Sequence, residues 1–147
     1  MRVAALDCGT NSLRLLVADV SADGALTDLR RETRIVRLGQ DVDATGEFAP
    51  EALERTFTAA REFAEVAAEY EPEKLRFVAT SASRDVTNRD EFFAGIFSIF
   101  GVVPDVITGD EEARLSSLGA TAELGPTDGP FIVMDLGGGS TELVLGT

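Results

Sequence analysis

Two aspartates frame the chemistry open to this chain. Asp7 and Asp135 each close a short apolar run, followed two and five residues later by a glycine and a serine, in DCGTNS and DLGGGS. The stretches lie 128 positions apart, and at that offset Gly9 meets Gly137, Ser12 meets Ser140 and Leu15 meets Leu143. A carboxylate at a strand end can hold a hard cation such as Mg²⁺, directly or through water. Glycines after it lack side chains and permit positive φ, so backbone N–H groups can converge on an anion. Gly137, Gly138 and Gly139 would do this beside the hydroxyls of Ser140 and Thr141, while Thr10, Asn11 and Ser12 supply donors in the first turn. Carboxylates beside converging donors suit a phosphate with its metal. Either turn alone reads as well as an ordinary hairpin turn, but the matched pair argues for joint use.

The remaining chemistry is narrowed by what the chain lacks. It has no histidine and one cysteine, Cys8, which excludes a Ser-His-Asp or Cys-His nucleophile, an intrachain disulfide and any multi-cysteine zinc site. Acid–base work falls to carboxylates. In TGDEEAR, Asp110, Glu111 and Glu112 stand at a helix start; Thr108 and Glu111 form a capping box, which leaves Glu112 unaccounted for. Arg84, after a strand in ATSASRD, can contact two phosphate oxygens, or else form a surface ion pair with Asp85 or Asp90. Neither glycine turn fits the P-loop or the strand-to-helix dinucleotide pattern. Cys8 reads as a small packed side chain and Arg14 as a strand-surface charge.

Composition sets the outer bounds. The 147 residues, 44% hydrophobic and 27% charged, suit about one globular domain. No apolar run approaches the roughly 18 residues of a membrane span, and the protein is expected to be cytoplasmic. The formal net charge of −13 repels nucleic acid and argues against a generic polyanion-binding surface, though not against a small phosphate site.

The elements that must position these residues follow from periodicity. Residues 2–7, 12–20 and 25–38 read as three antiparallel strands. Pro50 opens a long amphipathic helix to about Tyr70, with Leu53, Phe57, Ala60, Phe63 or Ala64, and Ala67 on its buried face. Residues 74–80 are a strand. Thr87 and Asp90 suggest a capping box for a second helix that buries Phe92, Phe93, Ile96, Phe97 and Phe100. Residues 102–108 form a strand, 109–124 a third helix, and 131–135 with 141–146 a hairpin around the second glycine turn. This is a mixed α/β domain: three antiparallel strands, then alternating helices and strands. Residues 1–125 form it, and after the loop at 125–130 residues 126–147 begin a second, similar domain.

DCGTNS and DLGGGSTE resemble the two phosphate-binding segments of the superfamily that holds actin, sugar and acetate kinases and the heat-shock chaperone ATPases. TSASRDVTN (80–88) and ITGDEEARL (107–115) are similar to the exopolyphosphatase / guanosine pentaphosphate phosphohydrolase family within it. The four motifs appear in that family's order and cover essentially the whole chain, corresponding to about the first half of a typical member. The resemblance implies a ribonuclease H-like (actin-like ATPase) domain that hydrolyses terminal phosphoanhydrides of inorganic polyphosphate or guanosine pentaphosphate. It carries the catalytic base onto Glu112, with Arg84 stabilising charge. Asn11, Ser12, Arg84 and Gly137–Ser140 would hold phosphate, and Asp7, Asp135 and Glu142 a Mg²⁺ or other divalent cation. A solvent-facing hairpin side chain is the other reading of Glu142. Members of that family are often dimers, so a homodimer is an open expectation. A kinase or ATPase of the same superfamily, and a non-catalytic phosphate-binding regulatory module, remain the alternatives.

Overall fold

The computed structural model describes residues 1–125 and 128–146. Alternating burial along β1 (Arg2–Cys8) and β2 (Ser12–Val20) shows why both are strands: Ala4, Leu6 and Cys8 point to one face, as do Leu13, Leu15 and Val17. With β3 (Leu26–Ile35) they make the expected antiparallel meander. A four-residue helix, α1 (Val42–Thr45), was not foreseen and is too short to show periodicity. The long helix α2 (Pro50–Glu69) starts with proline in its first turn, as predicted, and lays Leu53, Ala60, Phe63 and Ala67 on the sheet.

β4 (Lys74–Ala79) then runs parallel to β1, and β5 runs parallel to β4. β5 is far shorter than the predicted strand at 102–108, only Asp105–Val106, and Pro104, which has no N–H to give to a sheet, stands immediately before it. The sheet order is β3-β2-β1-β4-β5. Between these strands, α3 (Arg89–Phe100) buries Phe92 and Ile96 fully, with Phe92 beside the rings of Phe48, Phe57 and Phe77. Two expectations for α3 fail. Phe97 is 55% exposed, since it lies off the stripe that Phe92 and Ile96 define. Thr87 does not cap the helix; its hydroxyl reaches Glu47, and Asn88 is the N-cap residue, its side chain clasping the backbone of Phe48 instead.

The last helix, α4 (Gly109–Thr121), keeps one half of the expected capping box: Thr108 Oγ1 accepts from the Glu111 N–H at 3.2 Å, while the Glu111 carboxylate pairs with Arg114 instead of reaching back. β6 (Phe131–Leu136) and β7 (Thr141–Gly146) form a separate two-stranded sheet, as the hairpin reading required, and pack on α4. The expected domain boundary falls on the loop at 125–130, of which positions 126 and 127 lie outside the described residues, as does position 147. Among the described residues no helix is long and apolar enough to cross a membrane.

Candidate active site

The site lies where the three parallel strands end. Asp7 closes β1, Thr80 and Ser81 follow β4, and β5 feeds through Ile107 into α4. Carboxyl ends of parallel strands, where the order changes direction, are where open α/β sheets place ligands. The fold therefore delivers Asp7, Arg84 and Glu112 to one edge from three distant parts of the chain.

The two glycine turns prove to be the same structure built twice. Gly9 N–H donates to Ser12 O, and Gly137 N–H to Ser140 O, both at 2.9 Å. Cross-strand partners repeat as well, Asp7 opposite Arg14 and Asp135 opposite Glu142. The turns also touch one another. A Cβ on Gly138 would stand 2.5 Å from Asn11 Nδ2, and one on Gly139 would stand 2.7 Å from Ser81 Oγ and 2.8 Å from Thr10 Oγ1. None of the three glycines takes a left-handed φ. Their value here is close approach, not the positive φ expected from sequence. Thr10 and Ser81, whose hydroxyls lie 3.0 Å apart, complete this contact.

Between the turns opens a cleft of about 160 Å³, lined among others by Asp7, Asn11, Ser12, Glu112, Asp135 and Ser140. Arg14, read from sequence as a strand-surface charge, lines it too. Arg84 forms an ion pair, though with neither neighbour proposed for it. Its Nε donates to Ile107 O at 2.9 Å and its Nη2 to Glu112 Oε2, so two separately chosen residues are joined. Both side chains are largely buried, 24% and 14% exposed.

Carboxylates crowd the opposite wall. Oxygens of Glu112, Asp135 and Glu142 all lie within 4.8 Å of one another. Glu142 is only 9% exposed, which removes the solvent-facing reading, and its buried Oε2 has no hydrogen-bond partner. An orphaned carboxylate oxygen beside two more carboxylates fits the oxygen ligands that a divalent cation takes. Asp7 stands outside that trio. Its side chain opens onto the cleft, yet the cleft walls desolvate it and raise its pKa; Arg14 opposes this and Asp135 adds to it. Burial likewise raises Glu112 most, Glu142 and Asp135 push the same way, and Arg84 pulls it down.

One member of the site was missed in the sequence. Ser116 Oγ donates to Asp135 Oδ2, fixing that carboxylate from α4. Ser116 lies one helical turn beyond Glu112 and shares its face, but a serine at that spacing gives no signal until the hairpin is docked. Cys8, by contrast, is fully packed and its thiol is pushed far up by burial, with Asp7 adding to the shift, so it stays protonated.

A meander joined to two parallel strands, with paired glycine turns meeting at the strand ends, defines the actin-like, ribonuclease H-like class of phosphate-handling folds. The sequence matches the Ppx/GppA phosphatase family over residues 16–147, and the chain belongs to that family. It is 60% identical, over 99% of its length, to Exopolyphosphatase 2 of Mycobacterium tuberculosis, of which it covers 48%. The crystal structure of an exopolyphosphatase-like protein superposes with a TM-score of 0.94 at 58% identity, covering 99% of this chain and 45% of that one. For an Aquifex aeolicus member of the Ppx/GppA family the values are 0.84 and 37%, over 99% and 47%. The chain thus spans about half the length of these relatives.

Proposed function

We propose that this chain supplies the phosphate-binding half, with the general base, of a phosphohydrolase that removes terminal phosphate from inorganic polyphosphate. Guanosine pentaphosphate, which presents the same terminal phosphoanhydride, is the alternative substrate. The observation that carries this is the placement of Glu112, held by Arg84 on one side and facing Asp135 and Glu142 on the other.

In this reading the backbone N–H groups of Gly137–Ser140 and the side chains of Asn11 and Ser12 hold the terminal phosphate. Glu112 orients a water and takes its proton as the oxygen attacks phosphorus in line with the leaving phosphate. Arg84 turns from Glu112 toward the phosphoryl oxygens and stabilises their charge in the transition state. Asp135 and Glu142, joined by Asp7 from across the cleft, would hold the divalent cation, which supplies charge neutralisation at the phosphate when bound. Glu112, the third carboxylate of their cluster, is left free as the base. Residues 1–125 act as one lobe, and residues 126–147 open a second domain of the same kind that closes the cleft.

Phosphate release from polyphosphate and from guanosine pentaphosphate in Mg²⁺ tests this, comparing wild type with Glu112→Ala. The assay is run on this chain and on a longer protein carrying the second domain. Release is expected to fall at least 10²-fold in the variant, the lower bound for a general base. An active longer protein indifferent to Glu112→Ala would remove Glu112 from the role of base.

A further inference from the structure

A second, larger opening lies on the other side of the paired turns. It holds about 670 Å³, within the range of ligand pockets, and shares Thr10, Asn11, Ser81, Gly138 and Ser140 with the first. The two spaces therefore border the same donors. Arg37 lines this opening and belongs to none of the motifs that mark the first.

Three features set Arg37 apart. Its φ is 50°, a left-handed backbone that strains a non-glycine residue. The surrounding structure enforces it: the N–H groups of Val36 and Arg37 both donate to Asn11 O, at 2.8 and 2.9 Å, and Gly39 N–H donates to Thr10 O at 2.9 Å. From the other side Arg55 Nε donates to Val36 O at 2.9 Å. The loop that carries Arg37 is thus bolted to the first phosphate turn itself. The guanidinium, however, is exposed and has no carboxylate within ion-pair distance among the described residues. Asp43 and Asp85 line the same opening without reaching it. In a chain of net charge −13, a strained residue aiming an unpaired cation into the larger opening needs a reason.

We propose that Arg37 forms a second phosphate subsite, which receives an inner phosphate of a linear polyphosphate whose terminal phosphate sits between the two turns. It rests on the reading that the turns hold that terminal phosphate. Arg37 then selects for chain length, since only a ligand long enough to leave the small cleft reaches it. Asp43 and Asp85 oppose the chain there and limit its affinity.

Calorimetric titration of this chain in Mg²⁺ with tripolyphosphate and with long-chain polyphosphate tests the subsite. Arg37→Gly suits the comparison because glycine accepts the positive φ and relieves strain, so lost binding is not lost folding. Arg37→Gly is expected to weaken the long chain about tenfold, as for loss of one charge-assisted hydrogen bond, and to leave tripolyphosphate unchanged. Arg37→Lys, with the same backbone strain and a charge retained, should keep most of the preference. Equal weakening of both ligands, or of neither, overturns the subsite while leaving the terminal phosphate site standing. Failure of wild type to bind either ligand overturns both.

Discussion

Glu112 is pulled in two directions, and the sign of the outcome is testable. Burial and its carboxylate neighbours raise its pKa against the pull of Arg84, so over the window from the ordinary carboxylate value to the raised one the folded chain holds a proton that the unfolded chain has released. The contribution of this group to stability is greatest below that window and declines as pH rises through it. A general base behaves oppositely, gaining activity as it ionises. Glu142→Gln removes one of the neighbouring charges, so the acid limb of the kcat/KM profile is expected to move to lower pH, whatever the loss in rate. A limb that stays put would show that Glu142 is not felt at Glu112. Ser116→Ala tests the residue that sequence could not reveal. With its Oδ2 no longer held, Asp135 should bind Mn²⁺ about tenfold more weakly, in line with other residues that orient metal ligands. Electron spin resonance of free Mn²⁺ reads this without any turnover. The residues legible from sequence, Asp7, Arg84, Glu112, Asp135 and Glu142, are charged groups in local motifs. Ser116 and Arg37 escaped because their meaning lies in contacts between segments far apart in sequence.

At the scale of elements, the second turn is held to the first by the absence of side chains. A methyl on Gly139 would enter the space of Ser81 Oγ and Thr10 Oγ1, whereas one on Gly146, in the same hairpin, would meet nothing within 4 Å. Gly139→Ala is therefore expected to lower stability by about 1–3 kcal/mol, as overpacking does, and to weaken phosphate binding. Gly146→Ala should leave phosphate binding unchanged. Urea denaturation midpoints and phosphate titration give both readings; equal behaviour of the two variants would mean that the turns are not in firm contact. Strand and helix identities were legible wherever one face is buried over several turns or pleats, as in β1, β2 and α2. They failed where tertiary contacts outbid local chemistry. Thr87 looked like a cap, but Glu47 claims its hydroxyl and Phe48 claims Asn88. The glycine triplet looked like a device for positive φ, but its use is proximity, which only the docked turns display.

Over the whole molecule, two features bear on how a polyanion meets this site. One face of the β6–β7 hairpin presents Ile132, Met134, Leu136, Leu143 and Leu145, each 62–76% exposed, while its other face carries Asp135 and Glu142 of the acidic cluster. That apolar face offers a phosphate chain nothing, which leaves the proposed contacts to Arg37 and Arg84. Encounter is then a contest between a net charge of −13, which acts at long range, and a few arginines, which act on contact. Salt weakens the first more than the second: the screening length falls from roughly 30 Å at 0.01 M to about 8 Å at 0.15 M. Stopped-flow association of long-chain polyphosphate, at fixed Mg²⁺, is therefore expected to speed up as NaCl rises through this range. Electrostatically steered pairs show the reverse, their on-rates falling steeply with ionic strength. A rate that falls steadily with salt would mean that the arginines of the larger opening already govern encounter at a distance, and Arg37→Gly would then lower the on-rate as well as the affinity.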